Sequence, residues 1–362
     1  MREGVVGTQG SRKLVTRNLA RIFCVLREGS PLTKNEICAR LGLSRPTVDR
    51  AVARLMEAGF VRQDGFGPSA GGRRAILYTI DPHARYTVGV DLEIPELNIV
   101  VSGLDGNAVV AKQMHVPSQI VVDPHAALDF VAKSIEDALS AVGIAPSRTV
   151  GLGLGAPAFL QGDTITIAGR NLPHWVRVPA RKSLQTALGV PVYVNNDVKF
   201  MAIAESRALG HPDRVMAYLA LRRGLAGDIR MGGSILVDGK PFHGGNGNAG
   251  ALHRAYVEEQ ELKEAQSLSA FLADRLLDPI LHLLHLFDPN RLVINAGILG
   301  TEEGSKFVNE IRERITRVGH ETLPREFSVT MAKDEKFSCA KGGALFALEM
   351  ALQHPEELIA QP

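Results

Sequence analysis

Apolar residues recur at Val15, Leu19, Ile22, Phe23 and Leu26. That three-to-four spacing predicts an amphipathic helix over residues 14–27, which Gly29 stops. Thr33-Lys34-Asn35-Glu36 has the spacing of a capping box and opens a short helix that buries Ile37 and Leu41. Gly42 supplies a tight turn. Ser44 then N-caps a third helix with Pro46 in its first turn, where no N–H donor is needed. On a 100° wheel Val48, Val52 and Leu55 share one face of this helix, while Pro46, Thr47, Arg50 and Arg54 share the other. Strand-like runs follow at 60–62 and 75–80, joined by a turn holding Gly71, Gly72, Arg73 and Arg74. Helix, short turn, helix and hairpin, in that order, predict a winged helix-turn-helix.

Asp81-Pro82 marks a boundary, giving expected domains 1–82 and 83–362. Beyond it the pattern predicts strands at 86–91, 97–104 and 108–116, a helix at 124–142, strands at 149–155 and 190–194, and a helix at 198–209. Strands at 215–221 and 234–237, a long apolar helix at 269–287, a strand at 292–295 and helices at 305–318 and 341–352 follow. A strands-then-helices order occurring twice predicts a duplicated α/β body with a cleft between two lobes.

Composition narrows the function classes. The 362 residues are 45% hydrophobic and 22% charged, enough for real cores, and no run of 18 apolar residues predicts a membrane span. The first eleven residues lack the apolar core of a signal peptide, and three scattered cysteines fit a reducing compartment, so a cytoplasmic protein is expected. No paired cysteines seed a metal site. Residues 1–80 carry 14 Lys/Arg against 6 Asp/Glu, a net of +8, whereas the remaining 282 carry 27 against 33, a net of −6. A basic head on an acidic body is the charge pattern of a polyanion-binding module. The expected DNA-facing set is Thr33, Ser44, Arg45, Pro46, Thr47, Arg50 and Arg54, with Gly72, Arg73 and Arg74 at the wing tip. Arginine forks onto guanine, threonine meets a phosphate or a thymine methyl, and wing arginines reach phosphates or the minor groove. Duplex DNA, not RNA, is implied because the A-form major groove excludes a helix.

A family resemblance joins the two parts. A winged helix followed by Arg85-Tyr86-Thr87-Val88-Gly89-Val90-Asp91, Gly151-Leu152-Gly153-Leu154-Gly155-Ala156-Pro157, Asn171-Leu172-Pro173-His174-Trp175 and Val194-Asn195-Asn196-Asp197 resembles the ROK family of repressors, open reading frames and kinases. Within it the chain is most similar to regulators of the xylose- and N-acetylglucosamine-repressor type. The resemblance implies an actin-like (ribonuclease H-like), two-lobed sugar-kinase fold for the body. It also implies departures. The family's first phosphate loop, Asp-x-Gly-x-Thr, stands here as Asp91-Leu92-Glu93-Ile94-Pro95, and the second, Gly-x-Gly-x-Gly, is rewritten at 222–228. Glutamate repels a phosphate, so no kinase activity and no cofactor are expected. The family's Ala-Gly-Glu-x-Gly-His run reads Ala249-Gly250-Ala251-Leu252-His253-Arg254, and its cysteine-rich zinc loop is replaced by an acidic segment at 256–266.

Two readings of the sugar pocket stay open. In one, Asn171, Asn196, Asp197, His253 and Arg254 bind a sugar or sugar derivative, with arginine favouring an anionic one. In the other, Asn196 and Asp197 only cap the following helix. The expected function is a DNA-binding transcription regulator of carbohydrate-related genes, a homodimer or dimer of dimers on double-stranded operator DNA. The alternatives are a sugar kinase with a DNA-binding head and a ligand-independent dimeric DNA-binding protein.

Overall fold

A computed structural model describes residues 6–29, 31–68, 74–162, 164–168, 172, 174–210, 212–252, 255–319, 327–333, 336–354 and 358. The head comprises α1 (Val6–Glu28), β1 (Leu32–Thr33), α2 (Lys34–Leu41), α3 (Arg45–Glu57), β2 (Val61–Phe66) and β3 (Ile76–Ile80). Its antiparallel sheet has the order β1-β3-β2, which makes β2 and β3 the wing. α1 begins before the apolar stripe that predicts it, and the Val15 side chain lies outside those described. Leu19, Ile22, Phe23 and Leu26 of α1 meet Ile37 of α2, Val48, Val52 and Leu55 of α3, and Phe60. Phe23 and Phe60 pack edge-to-face with ring centroids 6.2 Å apart.

The first lobe of the body has β4 (Tyr86–Glu93), β5 (Glu96–Gly103), β6 (Ala108–His115), α4 (Ser118–Val121), α5 (Pro124–Ser140) and β7 (Thr149–Ala156). The hairpin of β8 (Ala158–Gln161) and β9 (Thr164–Ala168) follows, then α6 (Ala180–Leu188) and β10 (Val192–Asn196). The second lobe runs α7 (Asp197–Ala208), β11 (Val215–Arg223), β12 (Ile229–Val237), β13 (Lys240–Pro241), β14 (Tyr256–Val257) and α8 (Glu259–Glu264). It ends with α9 (Leu268–Phe287), β15 (Arg291–Asn295), α10 (Thr301–Gly319), β16 (Ser328–Met331) and α11 (Ser338–Gln353). The sheets have the orders β10-β7-β4-β5-β6 and β13-β12-β11-β15-β16. In each, the first strand of the lobe pairs antiparallel with the second and parallel with a later one. The duplication expected from the strand pattern is therefore present in the hydrogen bonding.

β8, β9 and α6 escape the sequence reading. The hairpin is two short strands around a Gly162 at φ 59°, and α6 buries only Ala180 and Leu184 within nine residues. Neither offers enough periods to register. Among the described residues no helix is long and apolar enough to cross a membrane.

Val88, Val90 and Leu92 of β4 face α5 and α6, whereas Gly89 faces α11. The alternation is that of a sheet covered on both faces. A Cβ on Gly89 would lie 1.7 Å from the Ala340 carbonyl oxygen, and one on Gly153 would lie 2.3 Å from that of Gly343. On the other side of α11, a Cβ on Gly342 would meet the Phe200 carbonyl of α7 at 1.7 Å. The repeated glycines of β7 thus mark a strand on which a helix backbone lies directly. The head's core continues past residue 82: Leu104, Val150, Leu348 and Leu352 of the body belong to it. Gly89→Ala is expected to force β4 and α11 apart and to cost ~3 kcal/mol or more, the upper end of overpacking costs, read from urea unfolding.

Candidate functional site

The first candidate surface lies on the head. Thr33 N-caps α2, its hydroxyl accepting from the Glu36 N–H at 3.2 Å, while the Glu36 carboxylate accepts from the Thr33 N–H at 2.7 Å. This capping box fixes the start of α2. Gly42, at φ 63°, closes that helix in the left-handed conformation that glycine adopts without strain. α3 buries Val48, Ala51, Val52 and Leu55 and presents Arg45, Pro46, Arg50 and Arg54 to solvent, with Thr47 half-buried. Ser44 occupies the N-cap position of α3, but its hydroxyl does not cap: it bonds the Thr47 hydroxyl at 2.8 Å. The Arg50 Nε–H donates to the Pro46 carbonyl at 3.3 Å, so that side chain lies along the helix.

Asp49 is the residue that the wheel argument passed over. It accepts from the Arg45 Nε–H at 3.1 Å and from Lys34 at 2.9 Å. The Lys34 ammonium and the Arg45 guanidinium hold its carboxyl below the usual range. Arg45 also donates to the Asn35 side chain. Asp49 thereby ties the start of α3 to α2, and the i,i+4 spacing from Arg45 was the available signal. On the wing Arg74 is exposed, whereas Gly72 and Arg73 lie outside the described residues.

The second candidate site is the cleft between the lobes. Asp91 and Glu93 end β4, Asp197 opens α7, and Arg222 lies near the end of β11. One Arg222 amine sits 2.6 Å from Glu93, 3.0 Å from Asp197 and 3.4 Å from Asp91. The Arg222 Nε–H donates a further 3.1 Å bond to Asp197. Asp91 and Asp197 are buried, at 1% and 2% exposure. Three carboxylates and one guanidinium leave an excess of negative charge in a desolvated site. Burial therefore outweighs Arg222 and pushes Glu93 up to about 8; it raises Asp91 as well. The same carboxylates drive Arg222 further toward its charged form. Cys339, at the start of α11, is held as a thiol by burial and by Asp91 and Asp197, and it hydrogen-bonds Asp91.

The two departures from the kinase pattern thus meet in space. The glutamate that replaces a glycine in the first phosphate loop and the arginine of the rewritten second loop form one ion pair. A phosphoryl-transfer base needs a carboxylate open to a hydroxyl. Asp197 instead accepts two N–H bonds from Arg222.

Of the expected ligand set, the Asn196 side chain caps α7, accepting from the Val198 N–H at 3.1 Å. Asn171, His253 and Arg254 lie outside the described residues. The residues present do not fit the family's zinc: the cysteine loop is missing, and among the described residues no group of three or more His, Cys, Asp or Glu could hold a metal.

Glu93 gains a proton affinity on folding, so its contribution to stability is full below about pH 4.5 and is lost as pH rises through about 8. Glu93→Gln removes that dependence. Its unfolding free energy relative to the parent is expected to rise by about 1 kcal/mol or more between pH 5 and pH 9, measured by denaturant unfolding at each pH.

Comparison with known proteins places these features in a family. Residues 87–263 match the ROK family, and residues 17–65 match the IclR helix-turn-helix domain. The xylose repressor of Caldicellulosiruptor bescii is 25% identical over 244 residues, which cover 67% of this chain and 59% of that relative. A solved ROK family transcriptional regulator, a homolog of the E. coli MLC protein, superposes with a TM-score of 0.72 at 14% identity, covering 96% of this chain and 98% of that one. A ROK family glucokinase from Streptomyces griseus gives a TM-score of 0.60 at 18% identity, covering 99% of its own length but 73% of this chain. The chain is thus similar to the ROK family over 87–263 and has an actin-like, sugar-kinase fold behind an N-terminal helix-turn-helix.

Proposed function

We propose that residues 1–82 are the DNA-reading head, and residues 83–362 the dimerising, ligand-responsive body, of a transcription regulator that represses carbohydrate-related genes and catalyses no reaction. The observation that carries this reading is the outward side of α3. Its apolar face is fully committed to the head's core, so Arg50, Arg54 and Pro46 are left to face a partner. Thr33, Ser44, Arg45 and Thr47 flank it, and the exposed Arg74 of the wing is available to the neighbouring phosphates. The net +8 of residues 1–80 supplies the affinity for a polyanion. The xylose repressor relative supports the carbohydrate-linked reading.

The absence of catalysis is supported by Arg222, which engages the carboxylate that a kinase would need open. The Asn196 cap and the Asp197–Arg222 pair favour the reading in which the family's sugar position is a structural remnant. Leu286, 78% exposed on α9, and Phe242, 44% exposed and packed on Phe287, offer apolar area for a second copy. A homodimer sets two α3 helices about 34 Å apart, one DNA turn, on a palindromic operator.

In fluorescence anisotropy, Arg50→Ala is expected to weaken binding to a specific site by ~1–3 kcal/mol while changing affinity for random DNA much less. Affinity of the parent protein should fall steeply with added salt. Failure to shift any fragment of its own promoter region at low ionic strength would overturn the reading. Sugar-dependent ATP turnover in a coupled assay would establish the kinase alternative.

A further inference from the structure

Away from the Arg222 cluster, both lobes contribute to a second cavity. Tyr193 and Asn195 pair with Gly153 and Gly155 and so lie on the side of the first sheet that α11 covers. Beside them, the β8–β9 turn and the 243–248 loop of the second lobe enclose about 770 Å³. That volume lies within the ~300–1,000 Å³ range of small-molecule sites. The loop is docked through Asn248: its side chain accepts from the Leu160 N–H at 3.0 Å and donates to the Leu160 carbonyl at 3.1 Å. The two lobes are thereby pinned at the cavity's edge.

The lining has two characters. Tyr193 and Phe346 form an edge-to-face pair with ring centroids 5.8 Å apart, an apolar wall against which a ring stacks. Gln161 and Asn246 add side-chain amides with donor and acceptor atoms, and Asn195, whose Oδ1 accepts from the Asn196 N–H at 2.9 Å, adds an amide donor, which suits hydroxyl groups.

Behind this lining is a charge without a counter-charge. Lys199 of α7 is 2% exposed, and its ammonium donates to the carbonyl of Gly247, a cavity residue. Among the described residues no carboxylate forms an ion pair with it. Burial pulls its pKa down to about 8, and its charge together with burial lowers that of His243 on the cavity wall. Buried charges are normally paired. A buried cation with no acid paired to it among the described residues, set one carbonyl behind the lining of an open polar cavity, is the electrostatic complement of an anion.

We infer that this cavity binds a small polyhydroxylated anion, a sugar acid or a sugar phosphate, with the anionic group drawn toward Lys199 and His243, the hydroxyls on Gln161, Asn195 and Asn246, and the ring against Tyr193 and Phe346. Among the described residues of the expected ligand set, neither Asn196 nor Asp197 lines it. Its regulatory sense rests on the body being ligand-responsive, but binding itself is measured without DNA, so failure of one reading is distinguishable from failure of the other.

The test is titration calorimetry on the full chain at pH 6.5 with four probes: D-gluconate, glucose 6-phosphate, neutral D-glucose and inorganic phosphate. At least one anionic sugar is expected to bind, with D-glucose and inorganic phosphate at least tenfold weaker; which anionic sugar binds tells the acid from the phosphate. Lys199→Met should weaken binding at least tenfold. Because a buried lysine variant could misfold, Gly245→Val provides the second arm. Gly245 lines the cavity, and a Cβ there meets no atom within 4 Å, so the variant narrows the cavity without disturbing the loop. It should weaken binding with an unchanged thermal midpoint. Absence of binding by both anionic sugars, equal binding of glucose, or full affinity in either variant overturns the inference.

Discussion

The body is organised around one largely buried guanidinium, its side chain 17% exposed. Desolvating Arg222 costs several kcal/mol unless polar partners replace water, and Asp91 and Glu93 at the end of β4 and Asp197 at the start of α7 supply them. The strands and helix that present those carboxylates must therefore stay in register with β11. The same contacts determine what the cleft cannot do. A kinase keeps the corresponding carboxylate open to a hydroxyl and its first loop free for phosphate, whereas here both positions are occupied by contacts with the Arg222 guanidinium. Glu93 and Arg222 are best understood as a pair: the glutamate makes the shortest side-chain contact to the arginine at 2.6 Å, and because burial pushes its pKa up to about 8 it adds a full counter-charge only above that pH.

α11 links this cluster to the head. Its first turn carries Cys339, whose thiol bonds Asp91; its last turns carry Leu348 and Leu352, which enter the core of the winged helix. Between those ends the helix runs about 24 Å over glycines that admit its backbone against the sheet. Such contact leaves little room for bending and favours movement of the helix as a unit. A change in lobe closure that displaces the first turn of α11 would be carried to the core of the head, which Leu348 and Leu352 enter. Coupling of this kind requires an element that both sites bias, and α11 has the contacts for that role.

Much of this was legible in the chain. The head's elements follow from local signals: the Thr33–Glu36 box, Gly42, Pro46 and the Val48, Val52, Leu55 stripe are all realised. The body's strands follow from apolar runs, and the glycine spacing of β7 has a packing cause that pattern alone does not disclose. What was not legible depended on partners distant in sequence. Glu93 and Arg222 read separately as losses, because 129 positions separate them and nothing local announces the pairing. Ser44 has the right residue type for a cap, yet its hydroxyl turns to the Thr47 hydroxyl instead of accepting from a backbone N–H of the first turn. Asp197 could equally have been a ligand-facing acid, and only its distance to Arg222 separates the cases.

The two buried cations of the body make opposite demands, and the contrast bears on where a ligand acts. Arg222 has three carboxylates around it, so an incoming anion there would have to displace an existing partner and meet the repulsion of the rest. Lys199 has a backbone carbonyl and no acid among the described residues, so an incoming anion would gain the full interaction without displacing any. By that asymmetry the Arg222 cluster is structural, while the wall beside the edge strand β10 retains electrostatic attraction for an anion. Both regions lie where the lobes meet, so a ligand at the second bears on the closure that the first maintains.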